Sequence, residues 1–75
     1  MKLKEAEILF NAGVLNEPVI KHDKLKGGWI VTLSGKHKLS ATLETARGQV
    51  RVFKRLDAAV GVLFELGVIE IKITQ

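Results

Sequence analysis

The chain has 75 residues, 47% of them hydrophobic and 27% charged, with a mean hydropathy of +0.17 and no cysteine. That length supports one hydrophobic core and not two, the composition is too apolar for a disordered segment, and the lack of thiols excludes a disulfide framework and most zinc sites. Twelve Lys and Arg against eight Asp and Glu give a net charge of +4 and a pI near 9.7, a balance that admits nucleic acid or another acidic partner and equally suits an ordinary basic surface.

In chain order, the first element is an amphipathic helix within Leu3 to Leu15. Leu3, Ala6, Leu9, Phe10 and Gly13 or Val14 fall near the 3.6-residue period, with Lys2, Lys4, Glu5 and Glu7 off that stripe. Gly13 sits where the helix should stop, and Asn16-Glu17-Pro18 reads as a break. Short β-like runs follow at Val19–His22, Trp29–Leu33, Leu39–Glu44 and Gln49–Phe53, separated by glycine-bearing turns at Asp23–Gly28, Ser34–Lys36 and Ala46–Gly48. Trp29, Val31 and Leu33 share one strand face, as do Leu39, Ala41 and Leu43, so one side of the sheet should be buried, with Trp29 as a core or sheet-edge anchor.

A second helix spans Asp57 to Leu66, with Asp57 near its N-terminus and Gly67 as its stop, and Val68–Thr74 then alternates so that Ile69, Ile71 and Ile73 face inward. The expected fold is a single α+β domain over residues 1–75: helix, three or four antiparallel strands, helix, strand, with both helices on one sheet face. Between Asp57 and Gly67 only Glu65 is charged. Apolar surface around much of that helix suggests an association surface at Val62, Phe64 and Leu66, and a homodimer, since small cysteine-free chains often lean on a second subunit. No stretch approaches the roughly 20 apolar residues a membrane span requires, and Met1–Glu7 lacks the apolar core of a signal peptide, so a cytoplasmic location with no membrane partner is expected.

Chemistry is hard to find. His22 and His37 lie in different segments without helical metal-ligand spacing, so no metal is expected, and both read as exposed loop or strand-end residues. No nucleophile, base and orienting group can be assembled from Ser34, Ser40, the threonines or the carboxylates, so no catalytic residue is assigned and a non-enzyme is expected. Lys26-Gly27-Gly28 matches neither a phosphate-cradling loop nor a dinucleotide fingerprint, so no cofactor is expected. The basic residues do cluster. Lys21, Lys24 and Lys26 surround the first loop; Lys36, His37 and Lys38 the second; Arg47, Arg51, Lys54 and Arg55 run into the second helix. Lys36, Lys38, Arg47, Arg51, Lys54 and Arg55 are the candidate nucleic-acid contacts, with Arg47 and Arg51 foremost because guanidinium forks suit phosphate oxygens; a solvated sheet face is the competing explanation.

The pattern Thr-Ala-Arg-Gly at 45–48, Arg-Val-Phe at 51–53, Leu-Asp-Ala-Ala at 56–59 and Leu-Gly at 66–67, with the Gly28-Trp29 strand start, resembles small partition-associated or uncharacterised accessory proteins of bacterial plasmids and mobile elements. The resemblance covers about two thirds of the chain and implies a setting without a catalytic residue to carry over. The chain departs from it at Arg55, where similar proteins tend to place a small helix-capping hydroxyl residue. Two readings result: an accessory protein binding DNA or a DNA-bound partner through its basic surface, or a protein-interaction module or homo-oligomer whose charge is incidental.

Overall fold

Both helices end in the same way. At the close of α1 (Leu3–Asn11), Gly13 donates its N–H to the Phe10 carbonyl at 3.0 Å and Val14 to the Leu9 carbonyl at 2.9 Å. At the close of α2 (Leu56–Glu65), Gly67 donates to Phe64 at 3.0 Å and Val68 to Leu63 at 3.1 Å. These are Schellman caps, which need a left-handed residue after the helix, and Gly13 and Gly67 supply it with φ of 77° and 92°. A computed structural model describes residues 1–75 apart from the His37 side chain.

Four strands form one mixed sheet in the order β3-β2-β1-β4: β1 is Leu15–Asp23, β2 Gly28–Gly35, β3 Ser40–Thr42 and β4 Lys72–Thr74. The β1/β2 and β2/β3 pairs are antiparallel. Pairing sets Pro18, Ile20 and His22 opposite Leu33, Val31 and Trp29, so these side chains share one face. Ile20, Val31, Leu33 and Leu43 from the sheet meet Ala6 from α1 and Ala59 and Leu63 from α2 in a single core that also takes Leu15, Phe53, Leu66 and Val68. Both helices therefore lie on that one apolar face, as expected.

The last strand departs from expectation, because β4 runs parallel to β1, pairing Val19, Ile20 and Lys21 with Lys72, Ile73 and Thr74. α2 starts just after Phe53, which pairs with Trp29 beside the end of β1, and finishes where Gly67 and Val68 line a crevice with Asn16 and Pro18 at its start. Ten helical residues cover about 15 Å and return the chain to the origin of β1, so the strand that follows must run in the same direction.

Three further expectations are corrected. Asn16-Glu17-Pro18 does not break the chain but lies inside β1. Pro18 is tolerated there because β4 begins pairing only at Val19 and the β2 register is irregular between Leu15 and Glu17, so the strand is locally an edge. Gln49–Phe53 is not a regular strand: Val50 bridges Glu44, Phe53 bridges Trp29, and the arc between β3 and α2 is otherwise irregular. Finally, the last strand is short, Lys72–Thr74 rather than Val68–Thr74. Val68 is buried, Ile71 is half-buried, and Ile69 and Ile73 are 90% and 47% exposed.

Candidate nucleic-acid interface

The β1–β2 connection is a tight turn built on Asp23. Its Oδ1 accepts the Leu25 and Lys26 amides at 3.0 and 3.1 Å, and its carbonyl accepts the Gly27 amide at 2.9 Å. This Asx geometry turns the backbone inward and leaves Lys24, Leu25 and Lys26 exposed at the tip.

The second basic segment is brought to the same end of the sheet by backbone pairing. Trp29 and Phe53 exchange both N–H···O bonds, each at 2.8 Å, immediately after Gly28. Lys54 and Arg55 follow Phe53 directly and are exposed, so they emerge next to the Lys24–Lys26 turn. Residues 24–26 and 54–55, far apart in sequence, thus form one basic end at the N-terminus of α2.

The arginines play unequal parts. Arg47 is exposed on the turn closed by the 2.9 Å bond from the Gly48 amide to the Thr45 carbonyl. Arg51 is half-buried, its guanidinium carbon 4.7 Å from the Phe53 ring centroid in a cation–π contact, and it lines a crevice of about 350 Å³ with Lys2, Leu3, Glu44, Thr45 and Ala46. Glu44 in that crevice is paired with the Met1 amine. Arg55 forms a two-point pair with Asp57, Nε to Oδ1 at 3.2 Å and Nη2 to Oδ2 at 3.1 Å, with both side chains exposed. Among the described residues no side chain caps α2, so Asp57 serves its first turn only as a nearby carboxylate.

Comparison with protein-family models, with curated proteins and with solved structures found no match.

Lys36 and Lys38 are not part of this end. They occupy a 3₁₀ turn, Lys36–Lys38, beyond Gly35, at the opposite end of β2 from Trp29. At a rise of about 3.3 Å per residue, the six steps from Trp29 to Gly35 separate the two groups by about 20 Å. The expectation that His37 adds to the Lys36 and Lys38 patch falls on a side chain outside the described residues. His22 lies at the end of β1, as one of the two expected placements had it, but half-buried rather than exposed, edge to face with Trp29 at 4.8 Å between ring centroids. Trp29 packs against the core, as an anchor should.

The three α2 residues read as an association surface are not presented together. Leu66 is only 5% exposed and belongs to the core, Val62 packs half-buried against it, and Phe64 alone projects, at 60% exposure. Ala59, Leu63 and Leu66 recur on one side of the helix, and Leu56 and Val60 flank them, so the sheet absorbs most of the apolar surface that the sequence left without a partner. Reading Lys24 and Lys26 apart from Lys54 missed the principal cluster. Gly28 was the available signal, as a glycine at a strand start marks close backbone approach.

Proposed function

We propose that this domain is a non-catalytic accessory protein that binds DNA, directly or on a DNA-bound partner, through phosphate contacts made by its basic end. The observation that carries this reading is the Trp29–Phe53 pairing that sets Lys54 and Arg55 beside Lys24 and Lys26. Lys24, Lys26 and Lys54 converge there from two chain segments, Arg47 stands on the adjoining arc, and Arg55 is held by Asp57. Two of the nearby carboxylates are already occupied, Asp23 by turn amides and Asp57 by Arg55. Flexible lysines at a turn tip suit phosphate, which offers charge without sequence information. The resemblance to plasmid and mobile-element accessory proteins supports the setting, a bacterial cytoplasm.

Such binding is tested by the anisotropy of a labelled duplex titrated with protein across a salt series. With about four phosphate contacts, affinity should fall by roughly 100-fold between 50 and 200 mM salt. Saturable binding that ignores salt, or no binding at low salt, would overturn the reading. The second reading, a protein-interaction module, is favoured by Phe64 and Ile69, which leave 60% and 90% of their surface open.

A further inference from the structure

The sheet has two edges, and other segments of the chain meet it on the β3 side. On the β3 side, Lys2 bridges Glu44, the Met1 amine donates to the Thr42 carbonyl at 3.0 Å, and Phe53 occupies the position beside Trp29. β4, at the other end of the strand order, pairs only with β1. Its three residues overlap a sequence that alternates strictly over a longer run, Ile69-Glu70-Ile71-Lys72-Ile73. The pairing of Ile73 with Ile20 puts Ile73 on the face that carries the core, and Lys72, beside Val19, on the other. Ile73 and Ile69 are nonetheless 47% and 90% exposed, and among the described residues neither Glu70 nor Lys72 is in an ion pair.

We propose that β4 is a dimerisation edge that pairs antiparallel with β4 of a second copy about a two-fold axis at Ile71, joining two four-stranded sheets into one of eight. The run is self-complementary in that register. Ile71 meets the partner's Ile71, Ile69 meets the partner's Ile73, and Glu70 meets the partner's Lys72, with each unlike pair repeated by symmetry. Directly opposed residues share a face, so one face receives only isoleucines and the other receives two Glu–Lys pairs. Other registers lack this complementarity: an axis at Ile73 sets Lys72 opposite Thr74, and one at Ile69 sets Glu70 opposite Val68. An axis at Glu70 or at Lys72 opposes like charges, and an axis between two residues opposes charge to isoleucine. The exposed edge, the isoleucines left open beside the core and the charge order thus select one occupant, a second copy of this chain, by strand addition. The dimer goes beyond the DNA-binding reading and does not depend on it.

The test is the mass of the protein by sedimentation or light scattering across a concentration series, using Glu70→Lys, Lys72→Glu and the double variant. The wild type should dimerise. Each single reversal turns two attractive cross-strand pairs into two repulsive ones and should weaken the dimer about tenfold or more. The double variant should recover it. An equimolar mixture of the two single variants should form a heterodimer, because one copy then offers two lysines to the other's two glutamates. Both side chains are exposed, so far-UV circular dichroism should be unchanged in all variants. A wild type that stays monomeric throughout would overturn the proposal. So would a dimer that ignores both reversals, or one that dissociates with Phe64→Ser and not with Lys72→Glu.

Discussion

Gly28 and Phe53 approach so closely that a Cβ on the glycine would stand 2.5 Å from the Phe53 carbonyl oxygen and 2.6 Å from the Val52 Cγ1. The absent side chain is what allows the arc after β3 to dock on β2 and deliver Lys54 and Arg55 to the Lys24–Lys26 turn. Gly28→Ala should therefore destabilise the domain by about 1–3 kcal/mol through backbone displacement. Gly61 is the contrast, a glycine inside α2 whose Cβ would meet nothing within 4 Å. Gly61→Ala should stabilise by about 0.5–1 kcal/mol, since alanine loses less backbone freedom on folding into a helix. Denaturant midpoints of the two variants should move in opposite directions. A harmless Gly28→Ala would mean that the arc does not depend on this contact.

A second pair of variants reads the orientation of α2. Leu63 is fully buried between helix and sheet, whereas its neighbour Phe64 is 60% exposed. Leu63→Ala should cost about 2–5 kcal/mol, and Phe64→Ala should stay within about 0.5 kcal/mol. Equal losses in chemical denaturation would show that Phe64 is covered in solution by another surface.

What could be read in the sequence was what is local. The stripe of α1 and the stops at Gly13 and Gly67 follow from spacing within a few residues, and the structure keeps each of them. Non-local pairing decided the rest. Pro18 looks like a break, but it pairs with Leu33 of β2 and β4 leaves its other side open, so it stays within β1. The direction of β4 was implicit in the element order, since a strand, a helix and a further strand in one sheet normally run as a crossover, yet short turns elsewhere suggested an antiparallel meander. The basic end depends on Trp29 meeting Phe53 across 24 residues of sequence, and no local pattern announces that contact. Leu66 looked available to a partner because helix periodicity does not say how wide a stripe the sheet will cover.

The two ends of β2 should be separable in function. Lys24→Glu with Lys54→Glu reverses two exposed charges at the basic end, and Lys36→Glu with Lys38→Glu makes the same change in net charge about 20 Å away. If phosphate contacts reside at the basic end, the first variant should lose most low-salt duplex affinity and flatten the salt dependence by about two contacts. The second should lose only the weaker long-range attraction. Equal losses would mean that net charge alone governs binding. Lys38 adopts a φ of 61°, which Glu tolerates no better and no worse than Lys, so backbone strain does not distinguish the variants.

The Arg55–Asp57 pair sets stability against binding. Asp57 lies in the first turn of α2, where a carboxylate faces unpaired N–H groups, and it also holds the Arg55 guanidinium at two points. Asp57→Asn keeps the shape and removes the charge, so the helix should lose about 0.3–1 kcal/mol of favourable dipole interaction. The same change releases Arg55 and deletes one negative charge from the basic end. Duplex affinity at low salt should rise, and the slope of log K against log salt should steepen by about 0.9, the equivalent of one further phosphate contact. Thermal denaturation and salt-series anisotropy on one preparation read both effects. A variant that is less stable yet binds with an unchanged slope would show that Arg55 stays clear of the nucleic acid even when free, and would confine the interface to Lys24, Lys26, Lys54 and Arg47.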